Sequence, residues 1–127
     1  MGFRIGLHTA GISPRRLVSV LPLIDWVGFD IKAPFSDYMR ITGHAHGDAV
    51  RASLACLVAS GKPYEVRITT DDSLLTGHDA HRIGCELSHL GIERVVLQRV
   101  RQGMTIAATP SSFVDTLARS IKSIEIR

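Results

Sequence analysis

Short apolar segments alternate with amphipathic ones along this chain, and that order restricts the fold more than any single residue does. Phe3–Leu7, Trp26–Ile31, Tyr64–Thr70 and Ile92–Val100 read as strands, with Ile124–Ile126 as a short last one. Helical stretches lie between them. Ser13-Pro14 opens the first, Ser as a cap and Pro at the first helical position, with Leu17, Val18 and Leu21 as its apolar stripe and Pro22 as its end. The second is capped by Asp48, carries Val50, Leu54, Leu57 and Val58 at helical spacing, and stops at Gly61. The third runs from Asp79 to Leu90 with Gly91 as terminator, and Thr109-Pro110 opens a last one bearing Phe113, Val114, Leu117 and Ile121. Strands alternating with helices predict an α/β domain with a parallel sheet and right-handed crossovers.

The third strand adds a second restriction. Glu65, Arg67 and Thr69 point one way and Val66 and Ile68 the other. A central strand of a doubly wound sheet is covered on both faces and reads apolar throughout. One polar face therefore implies a curved, barrel-like sheet with a polar interior, the geometry of a ligand-lined cavity.

Composition agrees with one globular domain over residues 1–127. The chain is 45% hydrophobic and 21% charged, enough apolar material for a core and outside the disordered class. No apolar run reaches the roughly 18 residues of a membrane span, and the first residues lack a signal-peptide pattern, so a cytoplasmic protein is expected. Cys56 and Cys85 have no C-x-x-C spacing, which argues against a disulfide scaffold. The net charge of +3 is spread along the chain and aromatic residues make up 6% of it, so a nucleic-acid footprint is not expected.

Ligands of α/β sheets bind at the C-terminal ends of strands. The polar residues there are His8 and Thr9, Asp30 and Lys32, Arg67, Thr69 and Thr70, and Gln98. Asp30, Lys32 and Arg67 are candidates for a compact charged constellation. A carboxylate holds a hydroxyl, an ammonium group or a small cation, and Lys and Arg hold a carboxylate. The same residues with Glu65 also suit a structural ion-pair network. The pairs His44/His46 and His78/His81 lack partners at metal-ligand spacing. Neither Cys56 nor Cys85, nor any serine, has an evident activating partner, so no nucleophile is expected.

Four stretches in this order, Leu7-His-Thr-Ala-Gly11, Asp25-Trp-Val-Gly-Phe-Asp-Ile-Lys-Ala-Pro34, Tyr64-Glu-Val-Arg-Ile-Thr-Thr70 and Val96-Leu-Gln-Arg99, resemble the C-terminal part of radical S-adenosylmethionine activating enzymes. The nearest likeness is to anaerobic ribonucleoside-triphosphate reductase activating proteins, with pyruvate formate-lyase activating enzymes as relatives. The resemblance implies a partial parallel (β/α) barrel of about four β/α units, like strands 3–6 of the family's (β/α)6 barrel. It implies that Thr9, Asp30, Lys32, Arg67 and Gln98 line an S-adenosylmethionine pocket, and that His8 and Asp30 stand where relatives hold a monovalent cation, although His8 departs from the family's aspartate there. The family's Cys-x-x-x-Cys-x-x-Cys motif for a [4Fe–4S] cluster and its Gly-Gly-Glu strand are absent from this sequence. The expectation is thus a truncated family member, not catalytically competent alone. Its expected partners are a cluster-bearing chain, a glycyl-radical enzyme, and a second copy joined through an exposed strand edge. The alternative is a non-catalytic binding or assembly module, or a degenerate gene product, in which the charged residues are scaffolding.

Overall fold

The computed structural model describes residues 3–70, 75–99, 101–102, 105–106 and 111–127. The elements run β1 (Gly6–Thr9), α1 (Pro14–Val20), β2 (Trp26–Ile31), α2 (Tyr38–Thr42), α3 (Gly47–Ser60), β3 (Tyr64–Thr70), α4 (Gly77–His89), β4 (Arg94–Arg99), β5 (Arg101–Gln102), β6 (Thr105–Ile106), α5 (Ser111–Leu117) and β7 (Ser123–Ile126). Five strands form one all-parallel sheet in the order β1-β2-β3-β4-β7, and β5 pairs antiparallel with β6 in a separate two-stranded sheet. The fold is therefore mixed α/β, as the alternation predicts. No helix among the described residues is long and apolar enough to cross a membrane.

Strand order decides where the helices go. Each strand pairs with the next large strand in sequence, so successive right-handed crossovers all return over the same face. Register fits this. Phe29, Val66 and their neighbours Ile31, Ile68 and Leu97 share that face, and they join Leu17 and Leu21 of the first helix region, Leu54 and Leu57 of α3, Leu87 of α4 and Leu117 of α5 in one core. Alternate residues of each strand point to the opposite face, against which no described helix packs. Parallel sheets are usually covered on both faces. This one is covered on one.

Several local expectations change. The first strand lies at Gly6–Thr9, later than Phe3–Leu7, because Ile5 is held at the sheet's entrance: its N–H donates to Asp25 Oδ2 at 2.8 Å and its carbonyl accepts from Asp25 and Trp26. Ser13 caps α1 as expected, accepting from the Arg16 N–H, but Val18 is exposed while Leu17 and Leu21 are buried. Asp48 does not cap α3. That helix starts at Gly47, after a 3-10 turn and the short helix α2, and Asp48 lies exposed in its first turn. Helix α4 starts at Gly77 because Thr76 and Asp79 form a reciprocal capping box. The fourth strand is trimmed to Arg94–Arg99. The opening of the last helix at Thr109-Pro110 lies outside the described residues.

The connection from β2 to α3 is pinned at several points. Glu86 Oε2 accepts from the Phe35 N–H at 2.8 Å, Asp37 pairs with Arg40 and Arg82, and Arg40 reaches the buried Asp79 at 3.0 Å. Arg82 also bonds Ser36. Hydrogen bonds from Arg40 and Arg82 hold the Asp37 carboxyl below its usual range. Gly47 sits so close to this loop that a Cβ would lie 1.7 Å from the Phe35 carbonyl oxygen. Gly47→Ala should therefore destabilise the protein by about 1–3 kcal/mol or more, in the range of overpacked sites. Gly77→Ala meets nothing within 4 Å and serves as the control. Equal urea midpoints for the two variants would refute this packing.

Tyr38 closes the same region from inside, its hydroxyl accepting from the Lys32 N–H at 3.1 Å. Burial pushes its phenol up to about 12, the Lys32 bond opposing the shift and the charges of Glu86 and Asp30 adding to it. Burial also raises Tyr64. A phenol whose folded-state value is raised contributes stability below its ordinary value near 10 and loses it as the pH climbs to the folded value. Ultraviolet titration of the native protein should place the last tyrosine step near pH 12, and Tyr38→Phe should remove it.

Candidate functional site

The uncovered face carries a connected set of polar and aromatic side chains. Period-two alternation puts His8 of β1, Trp26 and Asp30 of β2, Glu65 and Arg67 of β3, Gln98 of β4 and Glu125 of β7 on this side. Register then brings Gly28 beside His8 and Glu65, and sets Asp30, Arg67, Val96 and Glu125 in one row across the sheet. Gly28 is a close-packed position: a Cβ there would lie 3.0 Å from His8 Nδ1 and 3.1 Å from the Trp26 ring.

Arg67 is the hub. Its Nε donates to Glu65 Oε1 at 2.7 Å, its Nη1 lies 3.0 Å from His8 Nδ1, and its guanidinium carbon stands 5.4 Å from the Trp26 ring centroid. His8 meets the same indole edge-on at 5.3 Å. Guanidinium nitrogens only donate, so Nδ1 of His8 accepts and the imidazole proton sits on Nε2. His8 is thereby a hydrogen-bond donor toward the face and has no lone pair left for a cation.

Glu65 is shared. Beyond Arg67 it receives Arg127 Nη1 at 2.9 Å and Nη2 at 3.0 Å, and Arg127 also reaches Glu125 at 3.0 Å. Burial by itself would raise the Glu65 carboxyl, but the hydrogen bonds and charges of Arg67 and Arg127 outweigh it and hold it below the usual carboxylate range. With side chains of Arg67 and Glu65 only 15% and 21% exposed, their pair is shielded more than a surface ion pair.

The structure sorts the sequence candidates. Asp30 and Arg67 are brought together in register. Gln98 lies half-buried on the same face, beside Thr69. Lys32 lies just past the end of β2 and is exposed; none of the ion pairs among the described residues joins Asp30, Lys32 and Arg67, and Arg67 pairs with Glu65. Thr9 faces the helices, opposite Phe29, and its hydroxyl accepts from the Gly11 N–H at 3.0 Å, which makes it part of the β1–α1 turn and not of the open face. The side chain of Thr70 lies outside the described residues. Sequence reading missed Trp26 and Arg127. The parity of Trp26 with Gly28 and Asp30 was a usable signal, whereas the place of Arg127 depends on how β7 joins the sheet.

A cleft of about 310 Å³ opens on this face at the N-terminal ends of the strands, where Trp26, Tyr64, Glu65, Arg94, Val96 and Glu125 contribute to its lining. The sequence reading looked to the C-terminal ends. Elsewhere, Cys56 and Cys85 are free and sit on different helices, α3 and α4. Among the described residues no group of three or more His, Cys, Asp or Glu side chains converges on a metal position. Cys85 does have a neighbour that spacing alone did not bring out, since its sulfur is 3.8 Å from His81 Nε2 one helical turn away. His44 and His46 stack on each other at 5.5 Å. Neither a scan of protein-family models nor a search of curated proteins finds a match to this chain.

The Glu65 assembly fixes a pH response. A carboxyl depressed in the folded state contributes stability above its ordinary value near 4.5 and loses that contribution as the pH falls through the lower folded value. Glu65→Gln should lower stability at pH 7 by about 1.5–3 kcal/mol, the range for hydrogen bonds to charged groups. In denaturant titrations across the acid range, the gap between the two proteins should close as the pH drops below the usual carboxylate range. A gap that persisted there would refute the charge-based account.

Proposed function

We propose that the open face of the sheet is one wall of a small-molecule site, and that its ligand is S-adenosylmethionine. The reading makes the chain a part of a radical S-adenosylmethionine-type (β/α) barrel, related to activators of glycyl-radical enzymes. The observation that carries it is the one-sided sheet: five parallel strands, helices on one face, and Asp30, Arg67 and Gln98 in neighbouring strands of the other. A ligand with a carboxylate, an ammonium group and ribose hydroxyls suits a face that offers a carboxylate, a guanidinium, an amide and the His8 N–H. Lys32, exposed at the end of β2, extends that set toward the ligand's carboxylate.

On this reading the chain binds without catalysing. With no cysteine set of its own for a cluster, it depends on a cluster-bearing partner chain for any radical chemistry, and the activated enzyme would be a second partner. The competing reading, a module whose charged face is scaffold, is favoured by one observation: Arg67 is already engaged by Glu65 and His8.

Calorimetric titration of S-adenosylmethionine separates the two. The ligand reading expects weak binding, sub-millimolar at best and worth about −4 to −6 kcal/mol, lost in the Asp30→Ala, Lys32→Ala double variant. Trp26 is the sole tryptophan and sits on this face, so its fluorescence should change over the same concentration range. No heat and no fluorescence change at millimolar ligand would leave the scaffold reading.

A further inference from the structure

The cleft at the N-terminal ends of the strands plays no part in the ligand reading above, and its walls combine two kinds of side chain. Trp26, Tyr64 and Val96 supply the apolar part. The six-membered ring of Trp26 lies against Gly6 of β1 and Gly28 of β2, where a Cβ would stand 3.0 and 3.1 Å from it, and His8 meets the indole edge-on. The indole is therefore a fixed wall and not a loose surface side chain. Val96 is only 5% exposed and yet lies outside the helix-side core, because its register with Arg67 and Glu125 turns it to the open face. A buried valine that shares a cleft of about 310 Å³ with an indole and a phenol gives it the apolar lining that small-molecule sites use.

The charged part decides what the cleft takes. Glu65, Glu93 and Glu125 all line it, and each already has a cation: Glu65 holds Arg67 and Arg127, Glu125 holds Arg127, and Glu93 holds Lys122. Arg94 lines the same cleft and takes no part in the ion pairs among the described residues. A cationic ligand would have to break an existing pair, whereas an anionic one meets the Arg94 guanidinium directly. Ser123, the register partner of Arg94 on β7, adds a hydroxyl to the lining. We propose that this cleft binds a small organic anion with a flat apolar body, an aryl carboxylate. The ring packs on Trp26 and Val96, and the carboxylate takes the Arg94 guanidinium and the Ser123 hydroxyl. Asp30 and Lys32 lie at the other ends of the strands, so the site holds whether or not the open face takes S-adenosylmethionine.

The test titrates the whole chain with phenylacetate, benzylamine and benzyl alcohol, which share the ring and differ in charge, by calorimetry and by the fluorescence of Trp26, the sole tryptophan. Phenylacetate should bind with a Kd of about 1 mM or below, and the other two about tenfold more weakly, the loss of one charge-assisted hydrogen bond. Arg94→Gln should weaken phenylacetate by about the same factor and remove its advantage over benzyl alcohol. Glu93→Gln, which takes away a like charge, should bind it no less well than the parent chain. The Asp30→Ala, Lys32→Ala double variant should bind it unchanged. Arg94 and Glu93 are exposed, and circular dichroism checks that their variants fold. Three results would overturn the proposal. Equal binding of the three compounds, or none, removes the anion site. A preference for benzylamine assigns the cleft to cations. Phenylacetate binding that survives Arg94→Gln but is lost in the double variant moves the anion to the other end of the sheet.

Discussion

The order in which strands join the sheet is the constraint on which the rest of this structure depends. Consecutive parallel neighbours linked by right-handed crossovers send every returning helix over the same face. The core is thereby confined to one side, and the other side must be polar or be covered by something else. The sequence answers with Glu65, Arg67, Asp30 and Glu125 at the alternate positions. A doubly wound order with the same elements would have buried those charges against helices, at a cost no pairing among them would recover.

On that polar side the ion pairs converge on one carboxylate. Glu65 sits between Arg67 and Arg127, while Arg67 also holds His8 and lies by the Trp26 ring. The arrangement sets the tautomer of His8 and packs the indole of β2 between His8 of β1 and Arg67 of β3. Preorganisation of this kind suits a binding wall, and it equally stiffens a sheet that lacks a second layer of helices. Those two uses are compatible, which is why a ligand titration, and not further geometry, discriminates between them.

The helix side is held by a different device. The β2–α3 connection is clamped by Glu86, Asp37, Arg82 and the buried Asp79, and Gly47 allows the backbone of α3 to approach Phe35. A similar close approach occurs at Gly11, where φ is +70°, a Cβ would lie 2.3 Å from the Phe29 ring, and the carbonyl receives the buried Ser53 hydroxyl at 2.7 Å. Both contacts anchor loops at the C-terminal ends of strands, so the rigidity of the helical layer extends to the rim of the open face.

Much of this was legible in the sequence. The bounds of β2 and β3, the stop of α3 at Gly61, and the split of β3 into a polar and an apolar face follow from local pattern alone, because strand period and glycine conformation are properties of a few adjacent residues. Contacts between distant residues were not legible. That Arg67 chooses Glu65 and His8 over Asp30 and Lys32, that Thr9 turns to the helix side, and that Arg127 reaches Glu65 all depend on register, which is fixed only when strands far apart in sequence align their apolar faces on one core. The sequence by itself determined which residues could lie on a polar face. The tertiary structure decided which of them meet, because pairing geometry belongs to the sheet and not to any one strand.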